Sequence, residues 1–168
     1  GGLIDRRGGN LHPLNYALGL ADAAERAGAI IHGHSRVTEI EGDPEEVVVR
    51  TASGSVTAKR AIVCTNAYTG DLANPLGASV IPVTSVQVAT EPLSDNIAQS
   101  ILPEGHSPSD TRRLLLYFRK DASGRFVMGG RGALGDEDIV KAQAELRRTA
   151  EALYPQLKGV AWKHAWGG

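Results

Sequence analysis

The chain has 168 residues, 42% of them hydrophobic and 22% charged, with a formal net charge of −1 at pH 7. That composition suits one sizeable globular domain or two small lobes and gives no electrostatic reason to expect nucleic acid or an anionic membrane surface. Apolar runs are too short to span a bilayer, and the single cysteine, Cys64, excludes an intrachain disulfide and a cysteine-based zinc site. Along the chain, Gly8-Gly9-Asn10-Leu11-His12-Pro13 reads as a turn-rich lead-in, with Pro13 suited to the first position of a helix. Leu14, Ala17, Leu18, Ala21 and Ala24 recur at helical spacing, and Gly28 stands where a left-handed residue ends the helix. Ala29-Ile30-Ile31 follows as an expected short buried strand, making an αβ unit.

The period then changes to two. Ser35 to Ile40 is expected to form a strand, and Glu46–Thr51 and Ser55–Ala58 flank Ala52-Ser53-Gly54 as a hairpin with glycine in the tight turn. Ala61-Ile62-Val63-Cys64 predicts another buried strand, which would make Cys64 an inert thiol. Asn74-Pro75 and Gly77 mark a break, and we place a domain crossover there.

The second half is richer in long strands. Val80 to Thr90 reads as one β run with Pro82 near its start, and Asp95 to Leu102 as a short helix. Arg113–Arg119 and Arg125–Gly129 flank Asp121-Ala122-Ser123-Gly124 as a second hairpin. Asp136 is an expected helix cap, and Ile139, Ala142, Leu146, Ala150 and Leu153 form one apolar stripe. Glu145, Arg147, Arg148 and Glu151 then make the wet face. Pro155 stops this helix, and Val160 to Trp166 resumes as strand, with Trp162 and Trp166 on one face by even spacing.

Seven stretches, in this order, resemble the D-amino-acid oxidase-like superfamily of FAD-dependent amine oxidoreductases. They are Gly8 to Pro13, Ser35 to Ile40, Cys64-Thr65-Asn66-Ala67, Val88 to Pro92, Tyr117-Phe118-Arg119, Gly129-Gly130-Arg131 and Trp166-Gly167. The superfamily includes sarcosine and glycine oxidases, and the likeness is closest to its γ-glutamylputrescine oxidase branch. It implies a mixed fold, α/β plus α+β. Residues 1–76 would be a partial FAD-binding domain of the two-dinucleotide-fold type, and residues 77–168 an antiparallel-sheet substrate lobe with a packed helix. Members begin with a Gly-x-Gly-x-x-Gly turn that holds the FAD pyrophosphate and continue past the Trp-Gly pair. This chain shows neither, so it is expected to be an internal piece of a longer protein.

The resemblance implies oxidation of the C–N bond of an amine or amino acid by hydride transfer to FAD, with hydrolysis of the imine product. The alternatives are a truncated piece unable to hold FAD, or a nicotinamide-dependent dehydrogenase of similar layout. The Val37 backbone would meet the adenine ring, against the plain reading of a strand residue with its side chain in the core. Thr65, Asn66 and Ala67 would let the backbone approach the cofactor, against a simple strand-ending turn. Asn10, Leu11 and His12 would pass near the isoalloxazine ring, against a capping or surface histidine. Tyr117 and Arg119 share a face by alternation and would hold an amine carrying a carboxylate, with Arg131 beside them. The alternatives are a solvated arginine beside a half-buried tyrosine, and a plain bulge at Gly129-Gly130. No catalytic residue is assigned. The histidines show no metal-ligand spacing, so no metal is expected. The first residues lack the basic-then-apolar order of a secretion signal, and the cytoplasm is the expected location. The oligomeric state is left open.

Overall fold

The computed structural model describes residues 2–73, 76–81, 83–131 and 139–168. The expected break at Asn74-Pro75, the strand-start role of Pro82 and the cap at Asp136 lie outside those residues. The chain divides into two compact units, one of Leu14–Pro82 and one of Gly1–Pro13 with Val83–Gly168. The lead-in therefore groups with the residues after Val83.

In the unit Leu14–Pro82, helix α1 (Pro13–Arg26) begins at its proline. It closes through Gly28, whose φ of +95° lets the Ala29 amide reach the Ala24 carbonyl at 3.0 Å. Of its expected apolar stripe only Ala21 and Ala24 are half-buried, and the leucines are exposed. Strands β1 (Val37–Gly42), β2 (Val47–Thr51) and β3 (Gly54–Ala58) form an antiparallel sheet in the order β1-β2-β3. The first starts two residues later than the sequence pattern predicts. The β2–β3 turn consists of Ala52 and Ser53, and Gly54 already pairs with Thr51 instead of sitting in the turn.

Two expected buried strands are absent. Ala29–Ile31 and Ala61–Cys64 are irregular, Ile30 and Ile62 are 81% and 88% exposed, and Cys64 is a free, exposed cysteine. A short apolar run becomes a strand only when neighbours accept its amides and carbonyls, and no described strand runs beside either segment.

The other unit is built on a four-stranded antiparallel sheet in the order β5-β6-β4-β7. Its strands are β4 (Ser85–Pro92), β5 (Leu116–Lys120), β6 (Arg125–Arg131) and β7 (Trp162–Gly167). Helices α2 (Asp95–Ser100) and α3 (Ile139–Leu153) complete it. The expected β run from Val80 starts only at Ser85. Asp121 shapes the β5–β6 turn: its Oδ1 accepts the Ser123 and Arg125 amides at 2.8 and 2.9 Å, and Gly124 takes a φ of +78°.

One face of this sheet carries the core. Val86, Val88, Phe126 and Met128 pack with Leu146 and Ala150 of α3 and with Leu93, Ile101 and Leu157. Phe118, Phe126 and Tyr154 meet at centroid distances of 5.6–5.9 Å. Between Ala89 and Pro92 the β4–β6 register slips, and there the buried Thr90 Oγ1 accepts the Phe126 amide at 3.0 Å. The β4–β7 register slips too. Ala89 pairs with His164 and Thr90 with Trp162, so Lys163 is an extra residue. This bulge reverses the expected alternation. Trp162 packs against Phe126 on the core side, whereas Trp166 pairs with Gln87 on the other face. The wet face of α3 is also only partly wet. Glu151 accepts the Trp162 indole N–H at 3.2 Å, and the Arg147 Nε is buried without a partner among the described residues.

Candidate functional site

A groove in the unit Leu14–Pro82 gathers residues from distant parts of its sequence. It measures about 880 Å³ and is lined by Arg36 and Val37 at the start of β1, by Ala61–Thr65, and by Ala67 to Leu72. Three of the residues singled out for the cofactor, Val37, Thr65 and Ala67, thus share one wall system. Its volume falls in the range of cofactor pockets. The small side chains of Ala61 and Ala67 leave room for a ligand to approach the backbone, and Arg36 adds a cation.

Asn66, expected beside Thr65 and Ala67, is exposed and does not line the groove; it stands between these two lining residues and opens the short 3₁₀ segment Asn66–Tyr68 with a φ of +49°. Left-handed backbone is tolerated by asparagine better than by most residues. Thr69 closes the turn: its Oγ1 lies 2.8 Å from the Asn66 carbonyl and 2.6 Å from Thr65 Oγ1. Thr69 was not singled out from the sequence. The available signal was the Thr65/Thr69 spacing of four, which places two hydroxyls side by side once the segment winds into a helical turn.

The lead-in lies in the other unit. Asn10 donates through Nδ2 to the Gly105 carbonyl at 3.2 Å and helps line a cavity of about 510 Å³ with Leu3, Asp5 and His106. Leu11 is exposed, and His12 precedes α1. In the same lead-in, Asp5 receives the Arg7 guanidinium at 2.8–2.9 Å, which holds its carboxyl below the usual range and raises the arginine.

On the four-stranded sheet, Tyr117 and Arg119 do share the face opposite the core. Register aligns Tyr117, Gly129, Gln87 and Trp166 in one row across all four strands. The Tyr117 ring lies over Gly129, and its hydroxyl meets Ser85 Oγ at 2.5 Å. Ser85 and Tyr117 line a depression of about 450 Å³ with Val83, Thr84 and Leu115. The half-buried Arg119 guanidinium makes no hydrogen bond or ion pair with a described residue. Arg131 ends β6, its backbone paired with Ser85. Sequence reasoning missed Ser85, since the register that brings it to Tyr117 is non-local. Among the described residues no group of three or more His, Cys, Asp or Glu side chains is placed to hold a metal ion, and no helix is long and apolar enough to cross a membrane.

A family profile described as FAD dependent oxidoreductase matches residues 1–168. The chain is 38% identical over 169 residues to the gamma-glutamylputrescine oxidoreductase of Escherichia coli (strain K12), covering 100% of this chain and 39% of that protein. It is 37% identical over 167 residues to the probable oxidoreductase OrdL of Rhizobium meliloti (strain 1021), covering 99% and 39% respectively. The chain thus spans about two fifths of the length of these relatives. Among solved structures, the glycine oxidase from Geobacillus kaustophilus superposes with a TM-score of 0.66 at 20% identity, covering 90% of this chain and 40% of that one. At that identity the likeness is one of fold.

Proposed function

Because the chain belongs to the FAD-dependent oxidoreductase family, we propose that it is part of an enzyme that oxidises the C–N bond of a small amine or amino acid. When bound, FAD supplies the acceptor for the two electrons and the hydrogen leaving the carbon next to nitrogen. The imine product is then hydrolysed by water. No strong acid or base is needed for that chemistry.

In this reading the unit Leu14–Pro82 holds the adenosine end of FAD. The observation that carries it is the single groove joining Val37, Thr65 and Ala67, with the left-handed Asn66 turning the chain between the last two. Its residues fit the group: small and apolar side chains for a flat base, hydroxyls for polar edges, and Arg36 for negative charge. Asn10, Leu11 and His12 are assigned to the flavin ring. Tyr117 and Arg119 are assigned to the substrate, with Arg131. A half-buried guanidinium with no hydrogen-bond or ion-pair partner among the described residues, on the same sheet face as a phenol, is suited to a carboxylate-bearing amine.

The test is the absorbance spectrum of the full-length protein that contains this chain. A flavin spectrum that bleaches when an amine is added without oxygen is the expected result. A protein that stays colourless after FAD is added would overturn the assignment.

A further inference from the structure

Thr69 has been given no part in binding, yet it is a buried polar side chain, 6% exposed, at the wall of the groove. Its two hydrogen bonds fix an order of protons. The Asn66 carbonyl can only accept, so the hydroxyl 2.8 Å away must donate its proton there. Thr69 then has no proton left for Thr65. The 2.6 Å contact between the two hydroxyls must therefore use the proton of Thr65. Thr65 donates to Thr69, and Thr69 donates to Asn66.

This order decides what Thr65 offers a ligand. With its proton committed, its oxygen presents only lone pairs to the groove, so it receives an N–H or O–H and repels a phosphate oxygen. Thr69 also ties down the left-handed Asn66, because its own amide reaches the same carbonyl at 3.3 Å. We propose that Thr65 accepts a hydrogen bond from a neutral donor at the adenosine end of FAD, the adenine amine or the ribose 2′-hydroxyl, and that Thr69 is the positioning residue that aims it. This rests on the reading that the groove holds FAD.

The experiment measures the FAD dissociation constant of the full-length protein by flavin fluorescence, for the wild type and four variants. Thr65→Val and Thr69→Val are each expected to weaken binding about fivefold, the effect of one lost hydrogen bond. Thr69→Ser keeps the hydroxyl and is expected to bind as the wild type does. Because Thr69 acts through Thr65, the double variant Thr65→Val/Thr69→Val is expected to lose less than the product of the two single effects. Hypoxanthine-FAD, which lacks the amine, and 2′-deoxyribose-FAD then separate the two donors. The analogue for which wild type and Thr65→Val bind alike names the group.

Wild-type affinity in Thr65→Val and Thr69→Val overturns the proposal while leaving the groove assignment intact. So does a full product of effects in the double variant, the mark of two independent structural roles, or a gap that persists with both analogues. A full-length protein that binds no FAD at all overturns the groove reading and this inference together. Should Thr69→Val yield no folded protein, Thr65→Val and Thr69→Ser carry the same test.

Discussion

Tyr117 and Gly129 stand opposite each other on β5 and β6, and a methyl group on Gly129 would lie 2.1 Å from Tyr117 Cε2 and 2.8 Å from its hydroxyl. The glycine is therefore the bed on which the ring lies while its hydroxyl reaches Ser85 on the next strand. Neither residue achieves that placement alone.

Replacing Gly129 by alanine is expected to lift the ring and break the Ser85–Tyr117 bond, destabilising the protein by about 1–3 kcal/mol. The Michaelis constant for the amine should rise with it. Denaturant unfolding and steady-state kinetics of the full-length enzyme check this. An unchanged midpoint together with an unchanged Michaelis constant would show that the ring is not held by its bed.

Thr90 offers a cleaner single-bond test. Thr90→Val keeps the shape of the side chain but leaves the Phe126 amide unpaired in a fully buried place. A loss of about 1–3 kcal/mol is expected, with little change in the slope of the denaturant curve. Stability equal to the wild type would mean that water or another carbonyl reaches the amide.

Arg119 separates substrate recognition from fold. Arg119→Met keeps much of the apolar stem and removes the charge. With amines that carry a carboxylate, the Michaelis constant is expected to rise about tenfold or more, whereas amines lacking one should be unaffected. An equal effect on both substrate classes would remove Arg119 from the carboxylate site.

The alkaline limb of stability should bear the mark of Tyr154. Its burial among Phe118 and Phe126 disfavours the phenolate and raises its pKa above the usual value near 10.0. The folded state then holds the proton to higher pH than the unfolded state does. Its contribution is complete below about pH 10 and fades as pH rises through the folded pKa. Tyr154→Phe should flatten that decline, as read from denaturant midpoints between pH 9 and 11. A decline of the same steepness in the variant would trace it to other groups.

What the sequence revealed was mostly local. Pro13 and Gly28 bracket α1, and Asp121 with Gly124 builds the β5–β6 turn, because each acts within a few residues of itself. Tyr117 and Arg119 sharing a face follows from alternation alone. What stayed hidden depends on partners distant in sequence. Ala29–Ile31 and Ala61–Cys64 have the composition of buried strands, but composition does not supply a neighbouring strand. Ser85 meets Tyr117 only through the β4–β6–β5 register. Thr69 escaped because hydroxyls four apart matter only once the turn is known to be helical.

The extra residue at Lys163 changes how β7 should be read by anyone altering it. Up to Trp162 the large side chain belongs to the core. Beyond it the parity inverts, and Ala165 and Gly167 fall opposite Val88 and Val86. A side chain on Gly167 would come within 3.7 Å of Ile139 on α3. Deleting Lys163 would therefore leave every pairing of β7 in place and only straighten its edge, whereas drawing Lys163 into the ladder would act as a phase error: it would drive Trp166 toward the helix and turn the small residues outward.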